Sequence, residues 1–113
     1  MHELGITQSI VEIADRCARE QGAQKVLSVT VELGRLSGVV PEALEFCYEV
    51  CSQGTLLQGS RLLIESVPAL AMCRNCRREF PLEDLLASCP DCGSSWGDLI
   101  SGEEMRIKEM EVD

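Results

Sequence analysis

The sequence predicts an α+β fold: a small three-stranded sheet with two helices on one face, plus an inserted cysteine-rich module. Three observations carry that expectation. Two segments place apolar residues at helical spacing, three others alternate with a period of two, and two Cys-x-x-Cys motifs stand between the second and third alternating runs.

From Thr7 to about Gln21, the residues Ile6, Ile10, Ile13, Ala14, Cys17 and Ala18 fall on one stripe, predicting a helix with a single buried face. Glu12/Arg16 and Asp15/Arg19 are favourable i,i+4 pairs on its wet side, and Gly22 is a C-terminal stop. Residues 25–34, KVLSVTVELG, then alternate. Val26, Ser28, Thr30 and Glu32 point one way and Leu27, Val29, Val31 and Leu33 the other, predicting a half-buried strand. RLSGVV is a loop, and Pro41 opens a second helix, PEALEFCYEVCSQ, ended by Gly54. A second strand follows at 61–67, RLLIESV. The cysteine-rich segment runs from about Ala71 to Gly97, and a third strand covers 104–112.

Composition narrows the function classes. The 113 residues suit one domain, or one small domain with a metal-stapled module, and only 4% are aromatic. The net charge is −9, with five basic against nine acidic residues in 1–68 and five against ten in 69–113. Neither half offers the positive field that holds phosphate backbones, so no nucleic-acid partner is expected; Arg74, Arg77 and Arg78 form a small basic exception. Charges recur at short intervals through residues 1–25, which argues against a signal peptide, and no apolar run approaches membrane-spanning length. Seven cysteines without an export signal point to a reducing cytoplasm and to metal ligation.

Cys73 and Cys76 stand two residues apart, as do Cys89 and Cys92, with twelve residues between the pairs. Two such knuckles can each bend two thiolates toward one point and close a tetrahedron. Zn²⁺ suits four thiolates, is redox-inert, and stabilises a segment with little core of its own. A rubredoxin-like iron site would use the same ligands. A redox dithiol fits less well, because two matched motifs imply a shared metal. With no open coordination position the site reads as structural. Cys47 and Cys51 lie at i,i+4 on one helical face, where they could clamp a soft metal; beside Leu44 and Tyr48 they are expected, with Cys17, to serve as small core hydrophobes.

His2 is the only histidine. Met1 is expected to stay attached, because its enzymatic removal needs a small second residue, and helix-forming sequence begins almost at once. The Met1 amine, the His2 backbone nitrogen and the His2 ring form two fused chelate rings around one metal, with Glu3 as a further donor. Planar nitrogen-rich sets favour Ni²⁺ or Cu²⁺ over Zn²⁺. The amine and amide must lose protons to bind, so affinity falls as pH drops.

Met-His-Glu at the N-terminus, an α+β body and the CxxC-x12-CxxC segment together resemble the HypA/HybF family of nickel metallochaperones. The resemblance covers essentially the whole chain, including VELGRLSGVVPEAL and EMRIKEMEV. It implies a non-enzymatic role in maturing [NiFe] hydrogenase, with transient Ni²⁺ held by His2, the Met1 amine and Glu3, and structural Zn²⁺ held by Cys73, Cys76, Cys89 and Cys92. It also implies a HypB-like GTPase and the hydrogenase large subunit as partners; a homodimer is compatible with it. The domains are then 1–70 together with 98–113 for nickel, and 71–97 for the zinc ribbon. Two departures stand out. Where some relatives supply a nickel-binding aspartate after the first strand, this chain has Val39-Val40, and its cysteine module carries no histidine. Glu42 lies just beyond that loop, but Pro41-Glu42 reads as an ordinary acidic helix start. The rival reading is a zinc-ribbon module that binds protein or RNA without carrying nickel. An enzyme is disfavoured, since no base–nucleophile constellation can be assembled.

Overall fold

In the computed structural model, which describes residues 3–82, 88–94 and 97–113, eight elements follow one another. They are α1 (Glu3–Glu20), β1 (Val26–Gly34), α2 (Pro41–Cys51), β2 (Arg61–Val67), β3 (Leu70–Met72), β4 (Glu79–Pro81), β5 (Asp98–Ser101) and β6 (Met105–Val112). The strands form two three-stranded sheets, ordered β2-β1-β6 and β4-β3-β5. The chain divides into two compact units. One takes Met1–Glu32, Gly38–Glu65 and Arg106–Asp113, the other Leu33–Ser37 and Ser66–Met105.

In the first unit, α1 begins four residues before Thr7. The Thr7 hydroxyl donates back to the Glu3 carbonyl, so the first turn is closed by the residue expected to start the helix. The buried stripe is Thr7, Ile10, Val11, Ala14 and Ala18. It is rotated from the predicted one: α1 packs on α2, which draws Val11 inward and leaves Ile13 44% exposed and Cys17 half-buried. Asp15 is also more than a surface partner for Arg19. One carboxylate oxygen accepts from Arg19 Nε at 3.0 Å, the other from the Leu56 backbone N–H at 2.9 Å, which ties α1 to the turn after α2. Burial opposes the charge on Asp15, but Leu56 and Arg19 outweigh it and hold the carboxyl below its usual range.

β1 is central in its sheet. Val29, Val31 and Leu33 are buried as the alternation predicts, but Leu27 on the same face is 39% exposed, while Val26 and Thr30 on the other face are buried. It runs antiparallel to β6, with Gly34 N–H donating to Glu104 O at 2.7 Å at one end and Asp113 N–H to Lys25 O at 3.1 Å at the other. α2 starts at Pro41 as predicted and buries Leu44 and Tyr48. It stops at Cys51, three residues before Gly54, where Ser52 N–H donates to Tyr48 O and the Thr55 hydroxyl to Ser52 O. Cys47 and Cys51 are not core residues: both are half-buried, because Leu44 and Tyr48 occupy the inward direction.

The second unit contains a sheet that the sequence reading missed. β3 pairs antiparallel with β4 (Leu70↔Pro81, Ala71↔Phe80, Met72↔Glu79) and with β5 (Leu70↔Ser101, Ala71↔Leu99, Met72↔Asp98), the latter with a bulge between Leu70 and Ala71. Strands of three or four residues are too short for a period of two to register. The core here is Ala69, Ala71, Phe80 and Leu82 with the buried Cys73 and Cys89, and Leu36 and Leu99 pack against it. Leu36 comes from RLSGVV, so part of the predicted loop is core material. It is held by its N–H donating to Gly102 O at 2.7 Å. Gly34 and Gly102 admit this approach: a Cβ on Gly34 would overlap the Gly102 carbonyl, and Gly102 has φ 121° with Ala69 against it.

The two cysteine knuckles are backbone copies. Cys73 N–H donates to Arg78 O and Cys89 N–H to Ser94 O, at 2.9 and 2.8 Å. Arg77 N–H donates to Cys73 O and Gly93 N–H to Cys89 O, at 2.8 and 2.9 Å. Both knuckles therefore need a left-handed residue after the second cysteine, and Arg77 (φ 61°) fills the place that Gly93 (φ 74°) fills in the other. A side chain in this region costs about 1–2 kcal/mol, part of which a glycine returns as unfolded-state entropy. Denaturant unfolding of the metal-loaded protein should therefore show Gly93→Ala destabilised by about 1–2 kcal/mol and Arg77→Gly unchanged or stabilised by up to about 1 kcal/mol. Equal destabilisation by both would contradict the equivalence of the knuckles. Gly34→Ala should lower the unfolding midpoint more than either, since it forces backbone apart.

Candidate metal centre

The knuckles bring all four predicted cysteines to one place. Their sulfurs lie within 4.8 Å of one another, and two contacts of 3.5 Å, Cys73–Cys92 and Cys76–Cys89, run between knuckles. A tetrahedron with metal–thiolate bonds of about 2.3 Å has edges of about 3.8 Å, so one ion fits without rearranging the backbone. Cys73 and Cys89 are buried while Cys76 and Cys92 are exposed, and each knuckle thus supplies one sulfur from the core and one from the surface. Among the described residues this is the one group of three or more such ligands close enough to share an ion.

The surroundings favour thiolates at one edge. The Ser94 hydroxyl and backbone N–H, then the Asn75 side chain and the Cys73 thiol, hold Cys92 down to about 6. The Arg78 backbone N–H acts the same way on Cys76, but the thiols of Cys89, Cys73 and Cys92 and burial push it up to about 12. A divalent ion between four sulfurs this close would stabilise all four as thiolates. The cysteine spacing marks the ligands but not these supporting groups. The signal was present as a repeat, since Arg77-Arg78 and Gly93-Ser94 follow their cysteines at equal spacing.

The basic run beside the site is largely neutralised. Arg74 pairs with Asp98 at 3.0 Å and Arg78 with Asp91 at 3.1 Å. Gly97 allows the first pair, because a Cβ there would collide with the Arg74 side chain. With all four ligand positions supplied by protein, the site is closed to substrate, and its donor set is compatible with zinc. Glu3 is the half-buried first residue of α1, and Glu42 is exposed in the first turn of α2; neither joins the four-cysteine group. Met1 and His2 lie outside the described residues. None of the described helices is long and apolar enough to cross a membrane.

Comparison with known proteins places the chain in a family. The family model described as "Hydrogenase/urease nickel incorporation, metallochaperone, hypA" matches residues 1–112. The chain is similar to the hydrogenase maturation factor HypA of Geobacter metallireducens (51% identity) and of Geotalea uraniireducens (52%), over the full length of each chain in both cases. The counterpart in Trichormus variabilis is 51% identical, covering 100% of this chain and 96% of its own. Among solved structures, the solution structure of the Ni metallochaperone HypA from Helicobacter pylori superposes with a TM-score of 0.67 at 24% identity, covering 99% of this chain and 97% of that one. A second HypA solution structure gives 0.74 at 23% identity, covering 100% and 97%. Four converging cysteines on an α+β scaffold, matched along the whole chain, mark this protein as a member of the HypA family of nickel-incorporation metallochaperones that serve hydrogenase maturation.

Proposed function

We propose that the protein carries Ni²⁺ at Met1-His2-Glu3 and hands it over for [NiFe] hydrogenase maturation, while Zn²⁺ in the Cys73/Cys76/Cys89/Cys92 site holds the second unit together. The observation that carries this reading is the closed four-thiolate cluster. It consumes every ligand of the cysteine motifs and so assigns them to a resident ion, leaving the single imidazole for a transient one. A carrier needs affinity that it can surrender, and donors at a chain end exchange more readily than a buried cage. His2 is the principal nickel ligand, with the Met1 amine and Glu3 beside it. No bond-breaking chemistry is assigned, and the carrier acts in the cytoplasm. A HypB-like GTPase and the hydrogenase large subunit are its partners. The rival RNA-binding reading loses support from the pairing of Arg74 and Arg78 with carboxylates.

Calorimetric titration of Ni²⁺ into the zinc-loaded protein should give one site that is lost in His2→Ala and weakened by any N-terminal extension. Unchanged one-to-one binding in His2→Ala would refute the terminal site. Cys73→Ser should lose zinc, and amide hydrogen exchange should then report loss of protection across roughly residues 71–97.

Zinc affinity should also fall as pH drops, because the four cysteines must lose their protons to bind the ion. Zinc retained against a chelator, measured across pH, should decline toward acid; retention independent of pH would contradict thiolate ligation.

A further inference from the structure

We propose that Cys47 and Cys51 form a second metal site, a two-thiolate clamp for a soft monovalent d¹⁰ ion, Cu⁺. The two residues stand at i,i+4 on α2, so their Cβ atoms are roughly 5–6 Å apart on one face. A linear two-coordinate ion sits between two sulfurs, and Cβ atoms at this spacing on one face let both sulfurs lean toward a common point. Leu44 and Tyr48 fill the core beneath α2, and both cysteines are half-buried at its margin. Cys51 opens onto a groove of ≈ 360 Å³ between α1 and α2, lined also by Gln8, Val11, Glu12, Asp15 and Thr55, which gives an ion a path in. Burial and the adjacent Cys47 both push the Cys51 thiol up.

The geometry also selects the ion. Of the two carboxylates lining the groove, Glu12 and Asp15, Asp15 already uses both oxygens on Arg19 and Leu56. Among the described residues Cys47 and Cys51 belong to no group of three or more His, Cys, Asp or Glu able to share an ion. Ions that need four or six donors are therefore poorly served, whereas two thiolates saturate a linear soft ion. Binding exchanges two S–H protons, released to solvent, for two Cu–S bonds and involves no change of oxidation state. The site is separate from the four-cysteine centre and makes no use of the N-terminal nitrogens.

The test uses the full chain with zinc in place. One equivalent of Cu⁺ is delivered anaerobically in a glutathione background, and the metal content is read by native mass spectrometry. The wild type should hold one zinc and one copper. Cys47→Ser and Cys51→Ser should each keep zinc and lose copper at a glutathione concentration about 10²-fold lower, the advantage of holding both thiolates on one helix. Cys17→Ser, which removes an equally half-buried but solitary thiol, should match the wild type. Copper retained by both serine variants, copper replacing zinc in the wild type, or equal sensitivity of all forms to glutathione would each overturn the proposal.

Discussion

Four sulfurs brought within 4.8 Å of one another repel as thiolates and compete for protons as thiols, and only a multivalent cation makes their convergence favourable. Much of the second unit follows from that constraint. Among the described residues its core is six buried side chains, two of which are ligands, so removing the ion would remove packing as well as charge balance. The strands are three or four residues long, too short to hold register alone, and each knuckle lies close to strand β3 or its partners. Here metal ligation supplies the cohesion that a larger domain would draw from apolar burial.

The backbone answers the same constraint twice. A left-handed residue after the second cysteine turns the chain so that a carbonyl accepts and N–H groups face sulfur, and the two knuckles use Arg77 and Gly93 for that turn. Arg77 is the informative member, because no preference of arginine puts it there. The convergence of the thiolates overrides local propensity, as functional sites commonly do.

The helices and longer strands were legible in the sequence because each repeats its pattern over seven or more residues. Pro41, the alternation of 25–34 and the run 61–67 mark their elements directly. The four ligands were legible from spacing alone. What escaped were features with no period: the strands β3, β4 and β5, the role of Leu36 as core, and the rotation of α1 that exposes Ile13 and buries Thr7 and Val11. Thr7 and Asp15 were misread for one physical reason. A polar side chain that satisfies a backbone group, as each of these does, counts as wet in a hydropathy pattern but lies against the protein. Cys47 and Cys51 erred the other way, since cysteine is apolar enough to be assigned to a core that leucine and tyrosine already fill.

The proposed nickel carriage rests on a division of labour by donor chemistry: sulfur for the ion that stays, nitrogen for the ion that leaves. X-ray absorption at the nickel edge, on protein holding one zinc and one nickel, tests that division most directly. The account predicts a first shell of nitrogen and oxygen with the outer-shell scattering of one imidazole. A sulfur shell around nickel would place the cargo in a thiolate site and contradict it.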